Sequence, residues 1–113
     1  MKLWIGRAEV FPLPTSQILK GAKGAFVNVI SPAENAADFR NRVVRALSNL
    51  AVGLKSLEET KPIDWFGSRT NISEDLERLA VEAEASGEPR FSTFHKYESE
   101  DEKELGKGGV SGR

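Results

Sequence analysis

The segment Arg90 to Tyr97 reads Arg-Phe-Ser-Thr-Phe-His-Lys-Tyr and holds the only histidine and the only tyrosine of the chain. Imidazole is the side chain whose ordinary titration falls near neutrality, which makes His95 a candidate general base or recognition residue. Its chemically useful partners would be Glu9 or Arg7, if a sheet brought them alongside. Strand alternation puts His95 on one face with Phe91, Thr93 and Tyr97, and Ser92 and Phe94 on the other. No second titratable group stands at a fixed spacing from His95. The plainer expectation is therefore a half-exposed strand residue beside two aromatics.

Other stretches carry weaker chemical signals. Lys20-Gly21-Ala22-Lys23-Gly24 has the glycines and lysines of a phosphate loop. A Walker loop, however, follows a strand and opens a helix, whereas here a strand follows, so the segment reads as a turn. Lys23-Gly24-Ala25-Phe26-Val27-Asn28-Val29 resembles the core signature of the RNA-recognition motif, but one stacking aromatic is missing by deletion and the last is replaced by Val29. What remains is Phe26 beside Lys20 and Lys23, enough for a weak single-stranded RNA contact through one stacked base. Asp64-Trp65-Phe66-Gly67 places two aromatics in a connection, where Trp65 would anchor a partner or plug the end of the core. Asn71-Ile72-Ser73 reads as a helix cap. The Glu58/Glu59 pair lacks a second ligand group, so neither a metal site, a two-carboxylate hydrolase nor a cofactor is expected.

These residues need elements to position them. Leu3 to Phe11 and Gly24 to Ile30 are rich in β-branched and aromatic residues and bounded by Pro12, Pro14, Gly21 and Gly24, which predicts two strands. The long loop between them should tuck Ile18 and Leu19 inward. Ser31-Pro32-Ala33-Glu34 reads as a capping box opening a helix, with Phe39, Val43, Ala46, Leu47 and Leu50 on its apolar stripe and Gly53 as its stop. A charged third strand is expected over Val52 to Thr60. A second helix opening at Ser73 carries Ile72, Leu76, Leu79, Ala80 and Ala83 and stops at Gly87 and Pro89. Arg90 to Tyr97 is the final strand.

The order β-β-α-β-α-β predicts an α+β two-layer sandwich, with a four-stranded mixed sheet and two helices on one face. Trp4, Gly6, Ala8, Val10, Val27 and Val29 form the apolar set that belongs under the helices. The other face carries Ile5, Arg7, Glu9, Phe11, Phe26, Asn28 and Ile30, a mixed surface of the kind that is wet or an interface.

Composition sets the outer bounds. A chain of 113 residues without cysteine is one domain, expected over 1–97, that needs no disulfide and contains no thiol chemistry. Residues 98–113 are acidic and then Gly-rich, and are expected to be a disordered tail. Removing their five acids and three bases from the totals leaves 13 basic and 12 acidic residues in the body, so no strong basic field points to nucleic acid. The first residues offer no signal-peptide core or membrane span, which makes the cytoplasm the default location.

Residues 3 to 98 resemble small, uncharacterised bacterial α/β proteins in which a hairpin with a Lys-Gly-Ala-Phe-Val-Asn-Val second strand precedes a helix and a Leu-x-x-Leu-Glu-Glu strand. Some immunity-type and adaptor proteins share that build. The resemblance implies a ferredoxin-like sandwich and brings no catalytic residues. The expectation is a non-enzymatic module that binds a protein partner or itself, through the mixed face or an edge strand. Its contact residues would be drawn from Arg7, Glu9, Phe26, Asn28, Trp65 and His95. The alternatives are a small enzyme using His95 with Glu9 or Arg7, and the weak RNA binder.

Overall fold

A computed structural model describes residues 1–63 and 74–98 of the chain. The elements run β1 (Lys2–Pro12), β2 (Gly24–Ala33), α1 (Ala36–Asn49), β3 (Val52–Pro62), α2 (Glu74–Ser86), β4 (Arg90–Phe91) and β5 (His95–Tyr97). The Asp64 to Gly67 aromatics, Ile72 and Ser73 lie outside the described residues, as does the tail after Glu98. The sheet has the order β3-β1-β2-β4, and β5 also pairs with β2.

Every pairing in that sheet is antiparallel, which corrects the expected mixed sheet. The reason lies in where β3 lands. After α1 the chain does not return beside β2 but beside β1, which runs opposite to it. No two neighbours therefore run the same way.

The helices also do not share a face. Phe39, Val43 and Leu47 of α1 are fully buried with Ala8, Val10, Val27 and Val29, the apolar set read from the sequence. Ala80 and Ala83 of α2 instead pack with Leu3 and Ile30, whose side chains point through the other side of the sheet by strand alternation. Ile5, Leu76 and Leu79 join that smaller cluster. The apolar end of the second face thus takes its own helix. Burying each large aliphatic or aromatic side chain here contributes about 1.5 to 3 kcal/mol, so both clusters hold their helix by packing rather than by propensity.

The start of α1 differs from the expected capping box. Ser31, Pro32 and Ala33 are the end of β2, where they pair with Trp4, Leu3 and Lys2. Asn35 is the cap: its side chain accepts from the Asp38 backbone N–H at 2.8 Å, while the Asp38 carboxylate accepts from the Glu34 N–H at 2.9 Å. A variant of the box is present four residues later, built from Asn and Asp, in which the carboxylate takes the N–H of the residue before the cap rather than that of the cap itself. The helix ends at Asn49, with Leu50 as its cap and Ala51 in the left-handed region at φ 58. Gly53 is not the stop. It lies inside β3, where the ring of Phe11 occupies the space a side chain would need. Gly87, at φ 75, ends α2 as the sequence suggested.

The β1–β2 loop sends Leu19 fully into the α1-side core, and Ile18 stays 37% exposed. Buried Ser16 accepts from the Leu19 N–H at 3.2 Å, and the Leu13 N–H reaches the Ala51 carbonyl at 3.0 Å. The first of these bonds folds the loop on itself, and the second ties its start to the body.

A polar and aromatic cluster on the second sheet face

Antiparallel register sets out the second face row by row. In one row Ser56, Glu9, Phe26 and His95 stand opposite one another on β3, β1, β2 and β5. In the next toward α2, Glu58 opposes Arg7, and Arg7 opposes Asn28. Tyr97 stands opposite Gly24 at the far end. The sheet therefore brings together Arg7, Glu9, Phe26, Asn28 and His95 from the sequence candidates. Trp65 lies outside the described residues.

Proximity within the row decides what these groups can do. Two strand spacings, about 10 Å of backbone, separate Glu9 from His95, and Phe26 stands between them. His95 is exposed at the end of the row, so the ladder does not assemble it with Glu9 as an acid–base pair. Its face also differs in part from expectation. Phe91 pairs with Val29 and His95 with Phe26, so four steps along the β4–β5 segment match three along β2. That extra residue is a bulge, and it turns Phe91 to the α1 side while His95 and Tyr97 face the other way. Ser92 holds the join: its N–H donates to the Asn28 carbonyl and its Oγ accepts from the Asn28 N–H, both at 2.9 Å. Phe91 and Phe94, with centroids 5.9 Å apart, pack against the α1-side core.

Glu9 is the centre of the cluster. It is only 7% exposed, a position in which a carboxylate is costly unless hydrogen bonds and a countercharge satisfy it. The Tyr97 hydroxyl donates to Oε2 at 2.6 Å, and the Lys55 ammonium lies 3.6 Å from the same oxygen. Lys55 reaches that spot through a second bulge, since the β1–β3 register shifts from Glu9↔Ser56 to Val10↔Leu54 and leaves Lys55 as the additional residue. The Arg7 guanidinium sits 5.3 Å from the centroid of the Phe26 ring, a cation–π distance. Phe26 and Tyr97 pack with centroids 5.6 Å apart. Gly24 makes this possible, because a side chain there would collide with the Tyr97 phenol and come within 2.7 Å of the Val10 carbonyl oxygen.

The RNA-stacking role for Phe26 needs an open ring, and Phe26 is 7% exposed with Arg7 and Tyr97 against it. Lys20 and Lys23 are exposed in the loop, where the Lys23 N–H donates to the Tyr97 carbonyl at 2.9 Å. Among the described residues no three His, Asp or Glu side chains gather as a metal site, and no helix is long and apolar enough to cross a membrane. A shallow depression on α2, lined by Glu74, Glu77, Arg78 and Val81, is built from other residues than the Glu9 cluster.

Sequence reading missed Tyr97 and Lys55 as partners of Glu9. Tyr97 is 88 positions away, beyond any spacing rule, and Lys55 arrives only through a bulge. The usable signal for Tyr97 was a glycine inside a strand, Gly24, which marks close approach by another group. No family model matches the chain, and no curated protein or solved structure matches it.

Proposed function

We propose that the chain is a non-enzymatic protein-binding module, of the adaptor, regulator or immunity type, and that its partner docks on the end of the second sheet face that carries Arg7, Glu9, Phe26 and His95. The observation that carries this reading is how Glu9 is used. Its carboxylate is buried under a short Tyr97 hydrogen bond and beside Lys55, so the polar chemistry of the cluster goes into holding a surface rigid. Exposed around that centre are Phe11 at 39%, His95 and Lys55. An accessible aromatic, Phe11, among charged and polar groups is the composition of a protein interface.

The edge strands support docking on the face rather than strand addition. β3 is an edge strand with two bulges, at Lys55 and near Glu59, and it exposes Lys55, Glu58 and Glu59. Bulges and charges are the devices that keep a sheet edge from pairing. A small enzyme built on His95 with Glu9 finds no support in the ladder, because the Phe26 ring stands between the two.

The test compares variants of one surface with a control on another. Phe11→Asp and His95→Asp alter the proposed surface, and Val44→Asp alters an exposed residue of α1. A partner crosslinked to the wild type in cell extract should be retained by Val44→Asp and lost from the first two. Equal recovery by all four proteins would overturn the assignment.

A further inference from the structure

We infer that Arg90–Tyr97 is an exchangeable arm, and that the edge of β2 it covers is the docking site for the same arm of a second copy of this chain. The inference stands apart from the partner surface above. It begins with how the arm is held. Only two residues of β4 and three of β5 pair with β2, and a bulge interrupts them. The turn that delivers the arm is Gly87-Glu88-Pro89, with Gly87 at φ 75. Its bonds are the Gly87 N–H to the Ala83 carbonyl at 2.8 Å and the Glu88 N–H to Ser86 Oγ at 3.2 Å. Straightening this hinge carries the arm away from its own sheet, breaking its pairing with β2 and the Tyr97 bond to Glu9 but leaving intact the β1–β2 and β1–β3 ladders, in which it has no part.

The vacated edge specifies its occupant. Gly24 to Ile30 would present an unpaired row of backbone groups on a strand whose residues are almost all buried, and such an edge takes up another strand readily. The sequence that fits it in register is already known from the chain: Arg90 and Phe91 against Ile30 and Val29, then His95, Lys96 and Tyr97 against Phe26, Ala25 and Gly24. The arm of a second copy would restore the Tyr97 bond to Glu9 and return Phe91 and Phe94 to the α1-side core. Closed monomer and exchanged dimer then share every docking contact, and only the hinge and the protein concentration separate them. The opposite edge offers no competing route, since β3 is blocked by its bulges.

The arm also contributes buried Tyr97 and partly buried Phe91 and Phe94, so exchange occurs while the chain folds rather than from the folded monomer. The experiment is to refold the full chain at about 5 µM and at about 500 µM and to measure mass by light scattering after size exclusion. The dimer-to-monomer ratio should rise steeply with refolding concentration, by up to about a hundredfold when dimer is the minor species, and the dimer should persist on dilution. The chain has no cysteine, so Ala25→Cys with Lys96→Cys, at directly opposed positions, reports which copy supplies the arm. In the dimer the disulfide should link two chains on a non-reducing gel, and in the monomer it should close within one. Deleting Glu88 should shift the population toward dimer at fixed concentration. Monomer at every refolding concentration would overturn the inference, as would a dimer whose disulfides all lie within single chains.

Discussion

Replacing Tyr97 with Phe isolates the contribution of the hydroxyl that reaches Glu9. The ring remains, with its packing on Phe26 and over Gly24, so the packing terms change little. What is lost is a 2.6 Å hydrogen bond to a carboxylate whose side chain is 8% exposed. Hydrogen bonds to charged groups contribute about 1.5 to 3 kcal/mol, and the cost rises when the acceptor stays buried. Lys55 remains 3.6 Å away, but its side chain is 50% exposed and solvent screens it. It offsets only part of the loss, which places the expected destabilisation near 2 kcal/mol. With a urea slope of about 1 to 3 kcal/mol per molar, the unfolding midpoint should fall by roughly 1 M. The same measurement on Glu9→Gln and on the double variant closes a cycle, and the two changes should couple by about 1 kcal/mol or more. A Tyr97→Phe effect below about 0.5 kcal/mol, or strict additivity in the cycle, would refute the view that this bond organises the cluster.

Gly24→Ala should destabilise by about 1 to 3 kcal/mol in urea unfolding, because its Cβ meets both the Tyr97 ring and a backbone carbonyl that cannot rotate away. Asn35→Ala should cost about 1 kcal/mol by removing the cap of α1, and Asn35→Asp should restore it. The Glu34 N–H, and after it Arg42, hold the Asp38 carboxyl below its ordinary value of 3.8. A depressed carboxyl contributes stability above the unfolded pKa and loses it as pH falls through the folded one. Stability should therefore decline below about pH 4, and Asp38→Asn should flatten that acid limb in a pH series of thermal melts. His95→Ala should leave the unfolding midpoint unchanged, since His95 is exposed.

Local pattern carried much of the architecture. Alternation along Trp4 to Val10 and Val27 to Val29, together with the helical stripe of Phe39, Val43 and Leu47, identified the α1-side core, which is buried as read. Local pattern failed where a choice depended on distant groups. Ser31-Pro32 carries the signs of a helix start, yet pairing with β1 keeps it extended, and Asn35 supplies the cap instead. The second helix has an apolar stripe that would suit either face, and only the Leu3, Ile5 and Ile30 patch decides in favour of the second. In the candidate site, Arg7, Glu9, Phe26 and Asn28 were legible as one face because alternation is a local property. The position of His95 was not, because one additional residue between Phe91 and His95 resets the alternation, and no propensity marks a bulge of that kind.

The backbone uses its glycines in an unusual allocation. Gly24 and Gly53 sit in strands, where the limit is room for Tyr97 and Phe11. Two positions that strain an ordinary residue, the turn before β3 and the second bulge within it, are filled by Ala51 at φ 58 and Glu59 at φ 56. A left-handed conformation costs a non-glycine residue about 1 to 2 kcal/mol, and glycine would return part of that against an entropic cost of about 0.5 to 1 kcal/mol. Room for thermostabilisation therefore lies in the backbone just before β3 and at its second bulge, beside the strand positions that oppose Phe11 and Arg7, so hardening the fold there also stiffens the surface it presents.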